Sequence, residues 1–226
     1  MKKTTFALFS ICLIAVSCGK DKTNPVDPVA DKPYSNTNAG TNWTYDQKTQ
    51  DPTTGDTTFV IDTARVTGID TTVGQGTSTE KIYKIISHTA GGNAYLNVSG
   101  SDYYQFQQVA ALGTQIQALY LKDNVAVGAS WSQNETVTVT GFPIPITITI
   151  SSTVTEKGIS KTINGITYND VIAVKTDLTV PGLTVTSNIK NYYARNIGLI
   201  QGDYDIDVPG VTSVNTQTLI KTADPR

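Results

Sequence analysis

The chain has 226 residues, and its 17 lysines and arginines nearly balance 19 aspartates and glutamates, for a formal net charge of -2. Neither a basic stripe nor an acidic tail is present, which excludes the electrostatic footprint of a nucleic-acid-binding protein. Both cysteines, Cys12 and Cys18, precede the part that can fold, and His88 is the one histidine. A disulfide framework and a thiolate metal site are therefore excluded there, and zinc, Cys-His or conventional Ser-His-Asp arrangements have too few partners.

Lys2 and Lys3 precede an apolar run from Phe6 to Val16 that stops at Ser17-Cys18. At roughly a dozen residues this run is too short to span a bilayer as a helix, and with its basic flank it reads as a secretory signal. Ile14, Ala15, Val16 and Ser17 ahead of Cys18 resemble a lipobox, so residues 1–17 are the expected signal peptide and Cys18 the expected lipidated start of the mature chain. Several acyl chains, at about 0.8 kcal/mol per buried CH₂, exceed the two-signal requirement for durable anchoring. From Gly19 to Gly40 the chain mixes Lys20, Asp21, Lys22 and Asp27 with Pro25, Pro28 and Pro33, and strongly apolar side chains are nearly absent. That composition predicts a flexible linker over 18–40, spacing the lipid from a single β domain over 41–226.

Beyond the linker the sequence is rich in threonine, valine, isoleucine and tyrosine, a mix suited to pleated surfaces broken by turns. Strands are predicted over 43–50, 59–66, 80–88, 94–98 and 103–107, separated by Gly, Asp, Asn or Ser clusters. Over 107–120 the spacing of Val109, Leu112, Ile116 and Leu119 is helical. Gly113 interrupts it, and Ile116, Ala118 and Tyr120 equally line one face of a strand, which favours a strand after Gly113.

The C-terminal half alternates more clearly. Ile172, Val174, Leu178 and Val180 recur at even spacing, Pro181-Gly182 interrupts, and Leu183, Val185, Ile189 and Tyr193 resume, a hairpin pattern. A second hairpin runs from Ile200, Tyr204, Ile206 and Val208 through Pro209-Gly210 into a strand over 211–220. A third bends at Phe142-Pro143-Ile144-Pro145, between Val137 and Val139 and the run Ile146, Ile148, Ile150. Asn164-Gly165 marks a further turn, since both residues tolerate positive φ. The predicted fold is all-β, a long-stranded antiparallel meander. Each strand has one apolar face to cover, so the meander curves into a half-barrel or, as the alternative, packs as a β-sandwich. No Cys-Trp-Cys spacing supports an immunoglobulin-type sandwich.

Chemistry-bearing patterns are sparse. His88 follows Ile82 and Ile86 at even spacing, which places it on a partly apolar strand face as a core or rim histidine rather than a catalytic base. Glu80, Glu135 and Glu156 each fall near a strand end, so a glycosidase pair has to draw on aspartates. No G-x-S-x-G elbow or phosphate loop occurs. Asp203, Asp205 and Asp207, spaced by two, form a weak candidate metal cluster. Val208 stands where a calcium loop needs glycine, and no bidentate glutamate follows, so the trio reads as a solvated strand face that resists edge pairing. No cofactor is expected.

Four segments occur in order: Gly40-Thr41-Asn42-Trp43-Thr44-Tyr45, Val127-Gly128-Ala129-Ser130-Trp131, Asn169-Asp170-Val171-Ile172-Ala173-Val174, and the run from Tyr192-Tyr193-Ala194 to Gly198-Leu199-Ile200. Together they resemble a broad class of uncharacterised Bacteroidetes envelope lipoproteins with G-x-x-W-x-Y, V-G-x-x-W and Y-Y-A-x-x-x-G-L-I motifs. The resemblance spans most of the mature chain, but its motifs are structural and imply a curved β-rich domain rather than a chemistry. It also implies an outer-membrane address, since no Asp follows Cys18 and Lys20-Asp21 resembles a charged surface-export signal; the leaflet stays open. Under the same resemblance, Asp56-Thr57-Thr58, Asp62-Thr63-Ala64 and Asp70-Thr71-Thr72 match a short O-glycosylation pattern, making Thr57, Thr63 and Thr71 candidate acceptors.

The expected function is a non-enzymatic envelope module, held at the membrane by its N-terminal lipid and binding a glycan, protein or lipid partner. A half-barrel that handles lipids or lipoproteins is the alternative. An aspartate-dependent hydrolase is the third reading.

Overall fold

The computed structural model describes residues 32–73, 81–109, 114–137, 145–208 and 212–226. Twelve strands fall within them: β1 (Asn42–Gln50), β2 (Thr57–Val73), β3 (Lys81–His88), β4 (Asn93–Ser99), β5 (Asp102–Val109), β6 (Thr114–Lys122), β7 (Ser130–Val137), β8 (Ile146–Ile163), β9 (Ile166–Thr179), β10 (Thr186–Ala194), β11 (Gly198–Val208) and β12 (Thr212–Asp224). They form one antiparallel sheet in the order β6-β5-β4-β3-β2-β1-β12-β11-β10-β9-β8-β7. Consecutive strands are hydrogen-bonded neighbours except β6 and β7, and β1 pairs with β12 to join the chain's two ends in the middle of the sheet. The predicted meander is therefore present, and the sheet curls further than a half-barrel, because its two edge strands come to lie against each other.

The edges meet without a backbone ladder. Trp131 Nε1 donates to the Leu119 carbonyl at 2.7 Å, and Gln133 Oε1 accepts from the Leu119 N–H at 2.7 Å, while Gln133 Nε2 reaches the Gln117 carbonyl. Side chains of β7 thus satisfy backbone groups on β6 that an open edge would leave to water, and a nearly closed barrel results. Gln133→Leu keeps the bulk but removes both bonds. Amide exchange at Leu119 is expected to accelerate by about tenfold, the equivalent of about 1–1.5 kcal/mol for a lost hydrogen bond, with strands distant from the seam unchanged. Unaltered exchange at Leu119 would show that the seam does not depend on Gln133.

Closure on this scale needs curvature, and the ladder is interrupted by irregularities at Thr44/Tyr45, Val66/Asp70, Tyr103/Tyr104 and Tyr192/Tyr193. Such bulges bend and twist a strand locally. The one in β2, and three more in β8 at Val154/Glu156, Lys157/Ile159 and Ile159/Lys161, also explain why these strands outrun the roughly ten residues that sequence spacing suggests. β2 pairs with β1 over 57–65 and with β3 over 64–73, so one strand serves two staggered neighbours. At the β8–β9 turn Asn164 and Gly165 take φ of 50° and 81°, as their side chains permit. Asn164 Nδ2 ties this turn to the Ile220 carbonyl on β12 at 3.0 Å. β5 ends at Val109 and β6 starts at Thr114, so the described part of 107–120 is strand. The bends expected at 142–144 and 209–210 lie outside the described residues, but the strands flanking them pair as antiparallel neighbours.

The spacer ends earlier than composition suggests. Residues 33–40, read as linker, form a strap across one end of the barrel, in which Tyr34, Ser35 and Asn36 are buried. Asn196 N donates to the Pro33 carbonyl at 2.8 Å, Tyr34 N to the Tyr103 hydroxyl at 3.0 Å, and the Tyr34 hydroxyl to Asp170 at 2.8 Å. Arg195 lies 4.4 Å over the Tyr34 ring and its Nε donates to Asp170 at 2.5 Å. Apart from Tyr34, the strap has little apolar surface to bury. It is ordered because the barrel supplies partners that a sequence window cannot show.

Candidate functional site

Alternate residues of each strand face inward, and the lumen they enclose is only partly filled. Around the strap, Tyr34, Tyr103, Leu121, Val154, Ile172, Val174 and Tyr193 pack into one buried cluster. Trp43 and Tyr45 reach from β1 past β12 to the start of β11, where Trp43 Nε1 donates to the Ile197 carbonyl at 2.6 Å and the Tyr45 hydroxyl to the Leu199 carbonyl at 3.2 Å. Tyr120 packs against Tyr193 with ring centroids 5.2 Å apart, and its hydroxyl bonds Ser35 at 2.7 Å. These aromatics and the strap make a floor. Above it remains a cavity of about 520 Å³ bordered by Trp43, Tyr45, Tyr120 and Tyr193.

The two sides of this cavity differ. Next to the seam it is walled by Ile116, Ala118 and Leu119 of β6, Ile148 and Ile150 of β8, and Leu178 of β9. Hydroxyls on that side satisfy each other, Ser152 Oγ lying 3.1 Å from Thr176 Oγ1. On the far side of the sheet order, Gln47 of β1, Asp62 of β2, His88 of β3 and Thr218 of β12 face the same space. Gly202 makes room for the Tyr204 ring and the Asn191 side chain that border it, since a Cβ there would stand 2.7 Å from Cε2 of Tyr204 and 2.9 Å from Oδ1 of Asn191.

Among the described residues, Asp62 and His88 are the acid and base that pair on the lumen wall. His88 Nδ1 lies 2.6 Å from Asp62 Oδ2, and Asp62 Oδ1 accepts from the Ala90 N–H at 2.9 Å and the Thr89 hydroxyl at 3.3 Å. Burial alone would raise the Asp62 carboxyl. The bonds from His88, Ala90 and Thr89, together with the His88 charge, outweigh it and hold this carboxyl below its ordinary value. The Asp62 side chain is 2% exposed against 26% for His88, so the ring is the more accessible member of the pair. The phenols stay protonated: burial pushes those of Tyr45, Tyr120 and Tyr193 up, and burial with the nearby Asp203 carries Tyr204 to about 12.

The other sequence candidates lie elsewhere. Asp203, Asp205 and Asp207 follow one another along β11, but Asp203 accepts the Gln201 and Gln217 amides at 2.6 and 2.8 Å. Among the described residues no group of three His, Cys, Asp or Glu side chains could hold a metal ion. Thr57, Thr63 and Thr71 all fall on β2, where Thr57 is exposed beside the β1–β2 turn and Thr63 and Thr71 are half-buried. The aspartates before the latter two are engaged, Asp62 with His88 and Asp70 with Lys84 at 2.6 Å. Cys18 lies outside the described residues. His88 is on a partly apolar inner face, as its spacing predicts, whereas its partner escaped sequence reasoning. The signal was there: Asp62 shares its strand face with Ala64 and Val66, and a lone carboxylate on an apolar face calls for a partner.

No protein-family model matches this chain, and no curated protein matches it. Two solved structures are similar in fold. One is a proposed lipoprotein from Parabacteroides distasonis ATCC 8503, 11% identical, with 85% of this chain and 99% of that chain covered and a TM-score of 0.49. The other is a proposed exported protein with a YmcC-like fold from Bacteroides fragilis NCTC 9343, 10% identical over the same shares, with a TM-score of 0.39.

Proposed function

We propose that this protein is a non-enzymatic lipoprotein of the cell envelope, anchored through Cys18, whose barrel lumen receives a small, largely apolar ligand. The lumen carries this reading: about 520 Å³ with an aliphatic wall and a sealed floor. That volume falls within the roughly 300–1,000 Å³ of ligand pockets, which pair apolar linings with a few convergent polar groups. This favours the lipid-handling alternative over a module that binds only through its outer surface. The anchor fits the geometry, because residue 32 enters the fold at the strap and the sealed end of the lumen is therefore nearest the tether. The non-enzymatic part rests on the single imidazole: its hydrogen bond among the described residues goes to Asp62, and no serine or threonine hydroxyl bonds it as a nucleophile would.

The test is native mass spectrometry of the full-length protein extracted from membranes in mild detergent. The expected mass is that of an acylated chain beginning at Cys18 plus one apolar molecule. Ile150→Trp fills the lumen, and should lose the bound molecule while keeping the acyl chains. An unacylated chain would overturn the anchor. A ligand retained undiminished by Ile150→Trp would overturn the lumen as its site.

A further inference from the structure

We propose that the lumen selects a neutral amphiphile, an apolar chain bearing a hydroxyl or amide head, with the head on His88 and the chain against the β6 and β8 aliphatic wall. This deepens the reading above and rests on it. The argument is one of charge. Among the described residues, Asp62 and His88 are the acid and base bordering the cavity, and no lysine or arginine borders it. Their pair is neutral when the ring is charged and negative when it is not, so the wall never offers a net positive charge. A carboxylate or phosphate head in this lumen therefore gives up water without gaining a counter-ion, which is a steep cost in apolar surroundings.

A cationic head fares no better, because Asp62 is unavailable to it. Both carboxylate oxygens already accept bonds, from His88 on one side and from Thr89 and Ala90 on the other, and the carboxylate keeps almost no exposed surface. What remains at the surface of the pair is the other edge of the ring. With Nδ1 held by Asp62, Nε2 accepts a hydrogen bond in the neutral ring and donates one in the charged ring. A hydroxyl or an amide can answer either state; a carboxylate cannot donate and an ammonium cannot accept. Gln47 and Thr218, beside Asp62 on the same side of the lumen, are likewise two-way partners, and the protonated phenols add no charge.

The test uses 1-decanol and decanoate as probes of equal chain length at pH 8, on the mature chain from residue 18 with Ser replacing Cys18. That chain keeps every residue of the described fold and needs no detergent. Titration calorimetry is expected to show 1-decanol binding about tenfold or more tighter than decanoate, and decanamide following the alcohol. His88 being the only histidine, its ring nitrogens give one set of ¹⁵N NMR signals. Decanol should shift Nε2 while Nδ1, held by Asp62, stays in place. Decanoate binding as tightly as decanol, or decanol binding with Nε2 unmoved, would overturn the proposal. Failure of all three probes to bind would overturn the apolar-lumen reading beneath it instead.

Discussion

Replacing Tyr34 by alanine is expected to destabilise the protein by roughly 3–5 kcal/mol, the usual cost of truncating a buried aromatic side chain. For a domain of this size that is a fall of about 6–20 °C in melting temperature. The residue has no exposed surface, although it precedes the first strand in a stretch whose composition reads as spacer. Its ring meets Tyr103 edge to face at 6.5 Å and supports Arg195 at 4.4 Å, while its hydroxyl donates to Asp170. Asp170 itself sits at φ 51°, a strained position for a non-glycine residue, held by Arg195 and Tyr34 on one carboxylate. Burial opposes the charge on Asp170, but the hydrogen bonds from Arg195 and Tyr34 prevail and lower its carboxyl below the ordinary value. Tyr34→Phe keeps the ring and loses only the hydroxyl, so it should cost about 1–3 kcal/mol. Thermal unfolding of both variants against the parent is the measurement. A Tyr34→Ala protein as stable as the parent would return residues 33–40 to the status of a tether.

Removing the Asp62 carboxylate is the second large effect. Asp62→Ala takes the acceptor from three donors at once, the Ala90 N–H, the Thr89 hydroxyl and His88 Nδ1, and removes a carboxylate that is itself almost fully buried, although Thr89 and Ala90 are exposed and His88 half-buried. Because the exposed donors can turn to water, each lost bond costs about 0.5–1.5 kcal/mol, and a loss of roughly 1–3 kcal/mol is expected in urea unfolding at neutral pH. The pH dependence follows from the direction of the Asp62 shift. Its carboxyl is held below its ordinary value in the folded state, so on acidification the unfolded chain takes up this proton first. The stabilisation is complete above the ordinary carboxylate value of about 3.9 and is lost as pH falls through the lower, folded value. Asp62→Asn has no proton to bind, so its stability should decline less steeply than the parent's below about pH 4. Identical acid limbs for parent and Asp62→Asn would show that this carboxyl is not linked to folding.

Much of the β architecture was legible because its signals are local. Asn164-Gly165 and Pro181-Gly182 turn the chain through their own backbone preferences, and alternation on either side, as in Ile172, Val174, Ile189 and Tyr193, needs only the two-residue repeat of a strand. The ambiguous 107–120 segment shows the limit of that logic: apolar spacing suits helix and strand alike there, and pairing of β6 with β5 decides for strand. The lengths of β2 and β8 were less legible, since a bulge lets a strand continue past a residue that reads as its end. The linker boundary was misplaced for a different reason. Tyr34 carries the only large aromatic ring of its segment, and what buries it comes from β5, β9 and the turn after β10.

By itself, then, the sequence determined an all-β meander with one apolar face per strand, a folded part with no cysteine and a single histidine, and the expectation of a lipid address at Cys18. These depend on residue types and near-neighbour spacing. Only the tertiary structure decided that the sheet closes on itself with β6 against β7, that residues 33–40 seal one end, and that Asp62 meets His88 across 26 positions of sequence. Each of these is a contact between segments distant in sequence. Such contacts are selected by the curvature accumulated over twelve staggered strands, a quantity no single window of the chain contains.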